Sequence, residues 1–275
     1  MTVGTRRALQ RLVKATAAVA DRFSPPSRGI VVLLYHRVGG GSGAELDLPF
    51  GLFERQVEIV AGRPVLALDD AVRLLRAPEE ANVGPDPLVV TFDDGTADFV
   101  EVVLPLLVAH RLPATLYVAT RFVEERRRFP DDGRPVSWQG LSDALSTGLV
   151  TVGSHTHSHA LLDRLSPERA EQELRRSIGL IEERLQVPAE HFAYPKAVRP
   201  RGPVETLVRQ TFVSAAIGGN RPNRAGLTDV HRLARSAIQR SDGMRWFEAK
   251  VNGGLAFEET IRRNVNRARY ARADS

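Results

Sequence analysis

Leu88-Val89-Val90-Thr91-Phe92-Asp93-Asp94-Gly95 is the stretch on which the fold of this chain turns. Its first five residues are apolar or β-branched without a break, the composition of a strand buried on both faces, as in a parallel sheet covered by helices. Two carboxylates then stand side by side where the strand runs out. Like charges that close repel, so an arrangement that holds both requires a cation or raises one pKa. Gly95 lets the backbone turn so that both carboxylates can enter one mouth, although Asp-Gly is also favoured in ordinary turns.

Runs of the same kind recur at Ile30–Leu34, Ala114–Val118, Leu149–Gly153, His191–Tyr194, Val213–Ile217 and roughly Val230–Ile238. Between them, apolar spacing predicts helices over about 50–61, 68–76, 97–110, 138–147, 166–186, 203–211 and 243–251. The clearest has Ser166 as N-cap and Pro167 in its first turn, then Ala170, Leu174, Ile178, Ile181 and Leu185 at spacings of three and four. About seven strand-then-helix units make a single-domain α/β fold, open or closed into a barrel. Chemistry in such folds collects at the carboxyl ends of the strands.

Composition narrows the chemistry further. The 275 residues are 43% hydrophobic and include no cysteine, so a disulfide framework, a thiolate zinc site and a cysteine nucleophile are excluded. Any metal must sit on His, Asp or Glu. No apolar run approaches the roughly 18 residues of a bilayer-spanning helix. A serine hydrolase elbow Gly-x-Ser-x-Gly, a phosphate-binding glycine loop and a dinucleotide fingerprint are all absent from the sequence.

The net charge of +5 is unevenly spread: residues 1–28 carry +5, residues 260–275 carry +4, and the middle is left at −4. A mildly acidic body argues against a nucleic-acid groove, whereas the basic ends suit contact with an anionic membrane surface or plain solvation. The N-terminal stretch reads as an amphipathic helix with Leu9, Leu12, Val13 and Ala17 on one side and Arg7, Arg11 and Lys14 off it, ended by Ser24-Pro25-Pro26-Ser27. Gln10, Arg11 and Lys14 interrupt what would be the apolar core of an export signal, so a cytoplasmic location is expected, with peripheral contact at the inner membrane face.

The second motif is Gly153-Ser154-His155-Thr156-His157-Ser158-His159, where three of the seven histidines fall at the end of a predicted strand. His155 and His159, four apart, can meet one ion if the segment coils into a helical turn; His157 then points elsewhere. Two imidazoles with one carboxylate leave positions open for water and substrate, the pattern of a catalytic divalent site.

Thr91-Phe92-Asp93-Asp94-Gly95 together with His155-Thr156-x-x-His159 resembles the polysaccharide deacetylase family, also called the NodB-homology domain, over roughly residues 28–240. Leu33-Leu34-Tyr35-His36-Arg37-Val38 and Phe192-Ala193-Tyr194-Pro195 resemble one branch of it, whose members act on extracellular or cell-envelope amino sugars. The resemblance implies a distorted (β/α)7 barrel and a single divalent metal ion, zinc above all, on Asp94, His155 and His159. It makes Asp93 the general base and places an oxyanion donor at the backbone N–H of Lys196, since Pro195 has none.

Two departures stand out. The position two before the proline, where the family commonly carries an orienting Arg, is Ala193. The strand expected to carry a Leu-x-His acid reads Val230-His231-Arg232-Leu233-Ala234-Arg235. His36, at the end of the first strand, is therefore the first candidate for the general acid and His231, near the start of its strand, the second. Arg37 is a candidate for the missing orienting residue, and Trp138 is expected to pack rather than to stack on sugar.

These readings define three segments: a basic amphipathic helix and linker over 1–28, a deacetylase-like catalytic domain over 29–240, and an Arg-rich helical extension over 241–275. The expected activity is metal-dependent removal of an N-acetyl group from an amino sugar or glycan, including a lipid-linked one. A sugar deformylase and a glycan-binding relative with faded chemistry are the alternatives.

Overall fold

The computed structural model describes residues 3–77, 86–258 and 261. Seven parallel strands close into a barrel in the order β1 (Val31–Tyr35), β4 (Leu88–Phe92), β5 (Ala114–Val118), β6 (Val150–Ser154), β7 (His191–Ala193), β8 (Ser214–Gly218) and β9 (Leu233–Ala237), with β9 returning to β1. The expected α/β class and (β/α)7 barrel are both present. Each strand lies within about a residue of its expected place except the last, where Val230–Arg232 turn as a 3₁₀ segment before β9 begins. Two short segments not foreseen, β2 (Arg37–Val38) and β3 (Asp47–Leu48), pair beside the end of β1. The barrel is uneven, since β6 meets β7 at the pair Ser154–Phe192 alone, whereas β1 and β4 pair along five positions.

Helices α1 (Val3–Phe23), α2 (Phe50–Ala61), α3 (Leu68–Arg76), α4 (Leu104–His110), α5 (Thr120–Glu124), α6 (Trp138–Ser146), α7 (Pro167–Leu185), α8 (Pro203–Thr211) and α9 (Arg245–Val251) complete the described chain. In α7 the Ser166 hydroxyl accepts from the Arg169 N–H and Pro167 occupies the first turn, as the cap signals predict. Its buried face is Ala170, Leu174, Ser177, Leu180 and Ile181, with the expected Ile178 and Leu185 half-buried, and Ser177 is enclosed with its hydroxyl paired to that of Ser154 at 2.8 Å. The helix expected over 97–110 begins as a π-helical turn, Phe99–Val103, that gives way to α4 at Leu104-Pro105. Among the described residues no helix is long and apolar enough to cross a membrane.

The outward sides of the strands pack on the helices through Leu33, Val90, Phe92, Leu116 and Val152. At the amino end α3 plugs the barrel, burying Leu68, Ala71, Val72 and Leu75 against Ile30, Val32, Val89 and Leu233. There the buried His191 donates from Nε2 to Asp69 of α3 at 2.8 Å and accepts at Nδ1 from the Ser214 hydroxyl at 2.9 Å. Ser214 is wholly enclosed, so this Ser-His-Asp array ties α3 to the strand starts and has no access to substrate. With one end stoppered, the carboxyl ends of the strands form the open mouth.

The N-terminal helix docks differently from the reading of its pattern. Leu9 has no described side chain, while Leu12 is 64% exposed and Ala17 is fully buried, so the expected apolar side is split. The buried side carries charge instead: Lys14 meets Asp242 at 2.7 Å and Ser241 at 2.8 Å, and Asp21 accepts the Leu255 N–H at 2.7 Å. The reason is the enclosed Asp242 carboxylate, which is also held by Lys250 at 2.9 Å. Burial by itself would raise the Asp242 pKa, but the Lys250 and Lys14 charges outweigh it and hold the carboxyl below its usual range.

Because its folded pKa is depressed, Asp242 contributes stability above the unfolded carboxyl pKa of about 3.9, and that contribution is lost as pH falls through the folded value. Asp242→Ala strands two buried ammonium groups and is expected to cost about 3–5 kcal/mol. Urea unfolding at neutral pH should show the loss, and between pH 5 and about 2 the variant should show a shallower decline in stability than the parent.

Candidate active site

Asp93 and Asp94 leave the carboxyl end of β4 into a tight turn. The Asp93 N–H donates to the Tyr35 carbonyl at 3.0 Å and the Ala119 N–H to the Asp94 carbonyl at 3.0 Å, so both neighbouring strands pin the turn. Asp94 has φ +76° and Gly95 φ +91°; a Cβ on Gly95 would lie 3.1 Å from Val118 Cγ1. The turn therefore needs glycine for space as well as for dihedral freedom.

His155 follows β6, its N–H donating to the Val118 carbonyl at 3.0 Å. The four-residue spacing to His159 works, but through a bent loop and not a helical turn: Thr156 and His159 are left-handed, with φ +63° and +62°. Further round the mouth Lys196 and Ala197 are left-handed too, at +55° and +59°. Such backbone costs energy, and its concentration around one mouth is characteristic of a functional site.

This path brings Asp94 Oδ1 to 3.6 Å from His155 Nε2 and 3.3 Å from His159 Nε2, with all three donor atoms within 4.8 Å of one another. Ligands about 2.0–2.1 Å from a tetrahedral ion stand roughly 3.4 Å apart, so the set fits one zinc-class cation with little movement. The second nitrogen of His155 fits as well: Nδ1–H donates to the Ala193 carbonyl at 2.8 Å, leaving the Nε2 lone pair toward the site. Burial, with His159 adding, pushes the His155 pKa down to about 4 against the pull of Asp93 and Asp94, so the imidazole is neutral at pH 7 as a ligand must be. Burial disfavours the Asp94 carboxylate, yet its hydrogen bond to His159 and the surrounding imidazoles keep it far below the usual range.

Asp93 is gripped by a residue that the sequence did not disclose. Arg235, fully buried in β9, reaches through the barrel to hold both carboxylate oxygens, Nη1 to Oδ1 at 2.6 Å and Nη2 to Oδ2 at 2.8 Å. Nη1 also reaches the Thr91 hydroxyl at 3.2 Å, and the guanidinium lies 5.1 Å from the centre of the Tyr117 ring. Burial would raise the Asp93 pKa, but the Arg235 charge, assisted by His155, outweighs it and the carboxyl stays ionised. The signal was the basic residue itself: Leu233-Ala234-Arg235 has Arg where a Leu-x-His motif has its histidine. Arg37 does not orient Asp93; it donates to the Asp131 carbonyl at 2.8 Å, on the loop that lies over β2.

The remaining candidates separate cleanly. His36 is half-buried after β1. Burial lowers its pKa, Asp94 and Asp93 oppose this, and Arg235 and Lys196 add to the lowering, all groups of one mouth. Its enclosed Nδ1 has no hydrogen-bond partner among the described residues. His231 lies at the opposite end of the barrel and donates from Nε2 to the Phe212 carbonyl at 2.8 Å, so it cannot serve the same mouth. His157 pairs with the Thr120 hydroxyl at 3.0 Å, away from the ligand set. Trp138 packs half-buried, its indole N–H donating to Glu124 at 2.7 Å. Lys196 follows the buried Pro195 and is itself exposed.

A barrel closed by seven strands, with Asp-Asp after β4 and His-x-x-x-His after β6, defines a class, and comparison with known proteins finds similar ones. The family model described as polysaccharide deacetylase matches residues 80–210, from just before β4 to α8. The Bacillus subtilis (strain 168) protein named "Putative polysaccharide deacetylase YxkH" is 22% identical over 214 residues, spanning 78% of this chain and 72% of that protein. IcaB from Ammonifex degensii superposes with a TM-score of 0.69 at 21% identity, over 82% of this chain and 98% of its own. The Streptococcus pyogenes deacetylase PplD, solved with acetate, gives 0.68 at 20% identity over 82% and 99%. These structures share the fold.

Purified protein stripped with chelator should take up one equivalent of Co²⁺ or Zn²⁺ per chain. Asp94→Ala and His155→Ala should lose that uptake, whereas Arg235→Ala, which touches no ligand, should retain it. Cobalt absorption and elemental analysis read the stoichiometry directly.

Proposed function

We propose that this chain is a metal-dependent hydrolase that removes the N-acetyl group from an amino sugar or glycan. The observation that carries the reading is Asp93, a buried carboxylate outside the three-residue donor set, 3.8 Å from His155 Nε2 and clamped in orientation by Arg235. A site that only binds has no use for an ionised carboxylate held free of the ligands.

Asp94, His155 and His159 would hold the divalent ion, zinc being the best match to two imidazoles and a carboxylate. When bound, such an ion polarises a carbonyl and lowers the pKa of water. Asp93 accepts one Arg235 N–H on each oxygen and keeps a lone pair on each for a proton. Water adds to the acetamide carbonyl carbon as Asp93 takes its proton. The carbon–nitrogen bond then breaks, and the departing amine takes up a proton to give free amino sugar and acetate. His36 is assigned to protonate that amine, because it lies half-buried among Asp94, Asp93, Arg235 and Lys196 at the same mouth. The left-handed turn at Lys196 supports assigning its N–H to the carbonyl oxygen as charge develops there.

Acetate release from a panel of N-acetylhexosamine derivatives tests the proposal. Asp93→Asn should reduce turnover by roughly 10²–10⁴-fold with metal content unchanged, the usual scale for a lost general base. An active Asp93→Asn enzyme would overturn the mechanism.

Two further variants separate positioning from proton transfer. Arg235→Lys keeps the charge but loses the fork, and should lower kcat by about 10²-fold with KM little altered. His36→Gln should be impaired on sugar amides yet recover on an anilide whose leaving amine needs less help. Equal loss on both substrates would remove His36 from the role of acid.

A further inference from the structure

α1 is assembled inside out. At about 100° per residue, Leu12, Val19 and Phe23 fall within a stripe roughly 40° wide, and they are 64%, 51% and 86% exposed. The opposite side carries Lys14, Ala17 and Asp21, and that is the side that docks, through Asp242, Ser241 and the Leu255 N–H. An ordinary surface helix buries its apolar stripe and exposes its charges. This one spends a buried ion pair on docking and leaves its apolar stripe in solvent.

The sequence adds positive charge at both ends. Glu258 lies 3.8 Å from Lys14 and 3.4 Å from Lys250, on the docked side of α1. The sequence at these two ends, 1–11 and 259–275, contains eight arginines against one glutamate and one aspartate. Phe257 and Arg22 are exposed as well. The orientation is set as well. Lys14 sits at 241–242, just past the carboxyl end of β9, while Phe23 leads to the amino end of β1. α1 therefore runs antiparallel to the strands, with its N-terminal half toward the mouth.

We infer that α1 is an interfacial helix that lays Leu12, Val19 and Phe23 into an anionic lipid surface, with the arginine-rich ends drawn to the headgroups. Apolar stripe and cationic surroundings together fit a bilayer interface. Nucleic acid would answer the charge and leave the stripe unused, and the absence of any membrane-crossing helix among the described residues agrees with a chain that lies on the surface. Docking in this way does not depend on the deacetylase reading.

The test uses the full chain in co-sedimentation with vesicles of phosphatidylcholine alone or mixed with phosphatidylglycerol. The parent should partition onto the mixed vesicles, weakly onto the neutral ones, and less as salt is raised. Leu12→Ser/Val19→Ser/Phe23→Ser changes only exposed side chains, so its thermal midpoint should match the parent while its partition coefficient falls at least ~10-fold. Phe23→Trp should show a blue shift in emission on the mixed vesicles. Undiminished binding by the triple variant, or tryptophan emission that stays in water, would overturn the proposal. So would a parent dimer, seen by light scattering, that the triple variant abolishes without any vesicle binding by the parent.

Discussion

A guanidinium and a carboxylate locked together inside the barrel, Arg235 on Asp93, set the terms for the rest of the mouth. Each alone would be intolerable at that depth, because an isolated buried charge costs several kcal/mol. Together they satisfy one another with two parallel hydrogen bonds, and the pair fixes β9 to the end of β4 across the barrel. Two adjacent carboxylates can then coexist: Arg235 neutralises Asp93, while Asp94 turns to the imidazoles of His155 and His159. The two aspartates divide the positive partners between them, and so acquire different chemical duties.

Backbone geometry makes that division possible. Asp94, Thr156, His159, Lys196 and Ala197 all adopt the left-handed region, on three different rims of one mouth. Ordinary strand ends would send adjacent side chains to opposite faces. The left-handed turns redirect them inward, at a cost that the packed barrel and the α3 plug below it can sustain. The hydrogen bond from His155 Nδ1 to the Ala193 carbonyl shows the same economy, since the backbone of Ala193 positions the ring of a candidate metal ligand.

A second buried ionic cluster, Lys14 with Asp242, Lys250 and Glu258, does for the outside of the barrel what the Arg235–Asp93 pair does for the inside. It joins the two ends of the described chain and frees the apolar side of α1. Polar docking of this kind specifies one orientation of the helix more sharply than apolar contact would, because each buried charge has a single arrangement that satisfies it.

Strand and helix places were legible in the sequence because burial on two faces demands continuous apolar runs, and the caps at Ser166 and Pro167 announce themselves locally. The pairing of Asp93-Asp94 with His155 and His159 was legible for a related reason: chemistry at strand ends leaves its residues in short motifs next to those runs. Arg235 was hidden because its partner lies 142 positions away and only closure of β9 against β1 brings the two together. The docking face of α1 was hidden too, since helical periodicity assigns the apolar side inward by default. Only the folded body shows that a buried carboxylate at 242 claims Lys14 instead. Local patterning thus determined the elements and the candidate metal-binding residues, whereas the tertiary structure alone decided which distant charge each buried charge would meet, because such pairing follows from distance in space and leaves no periodic trace along the chain.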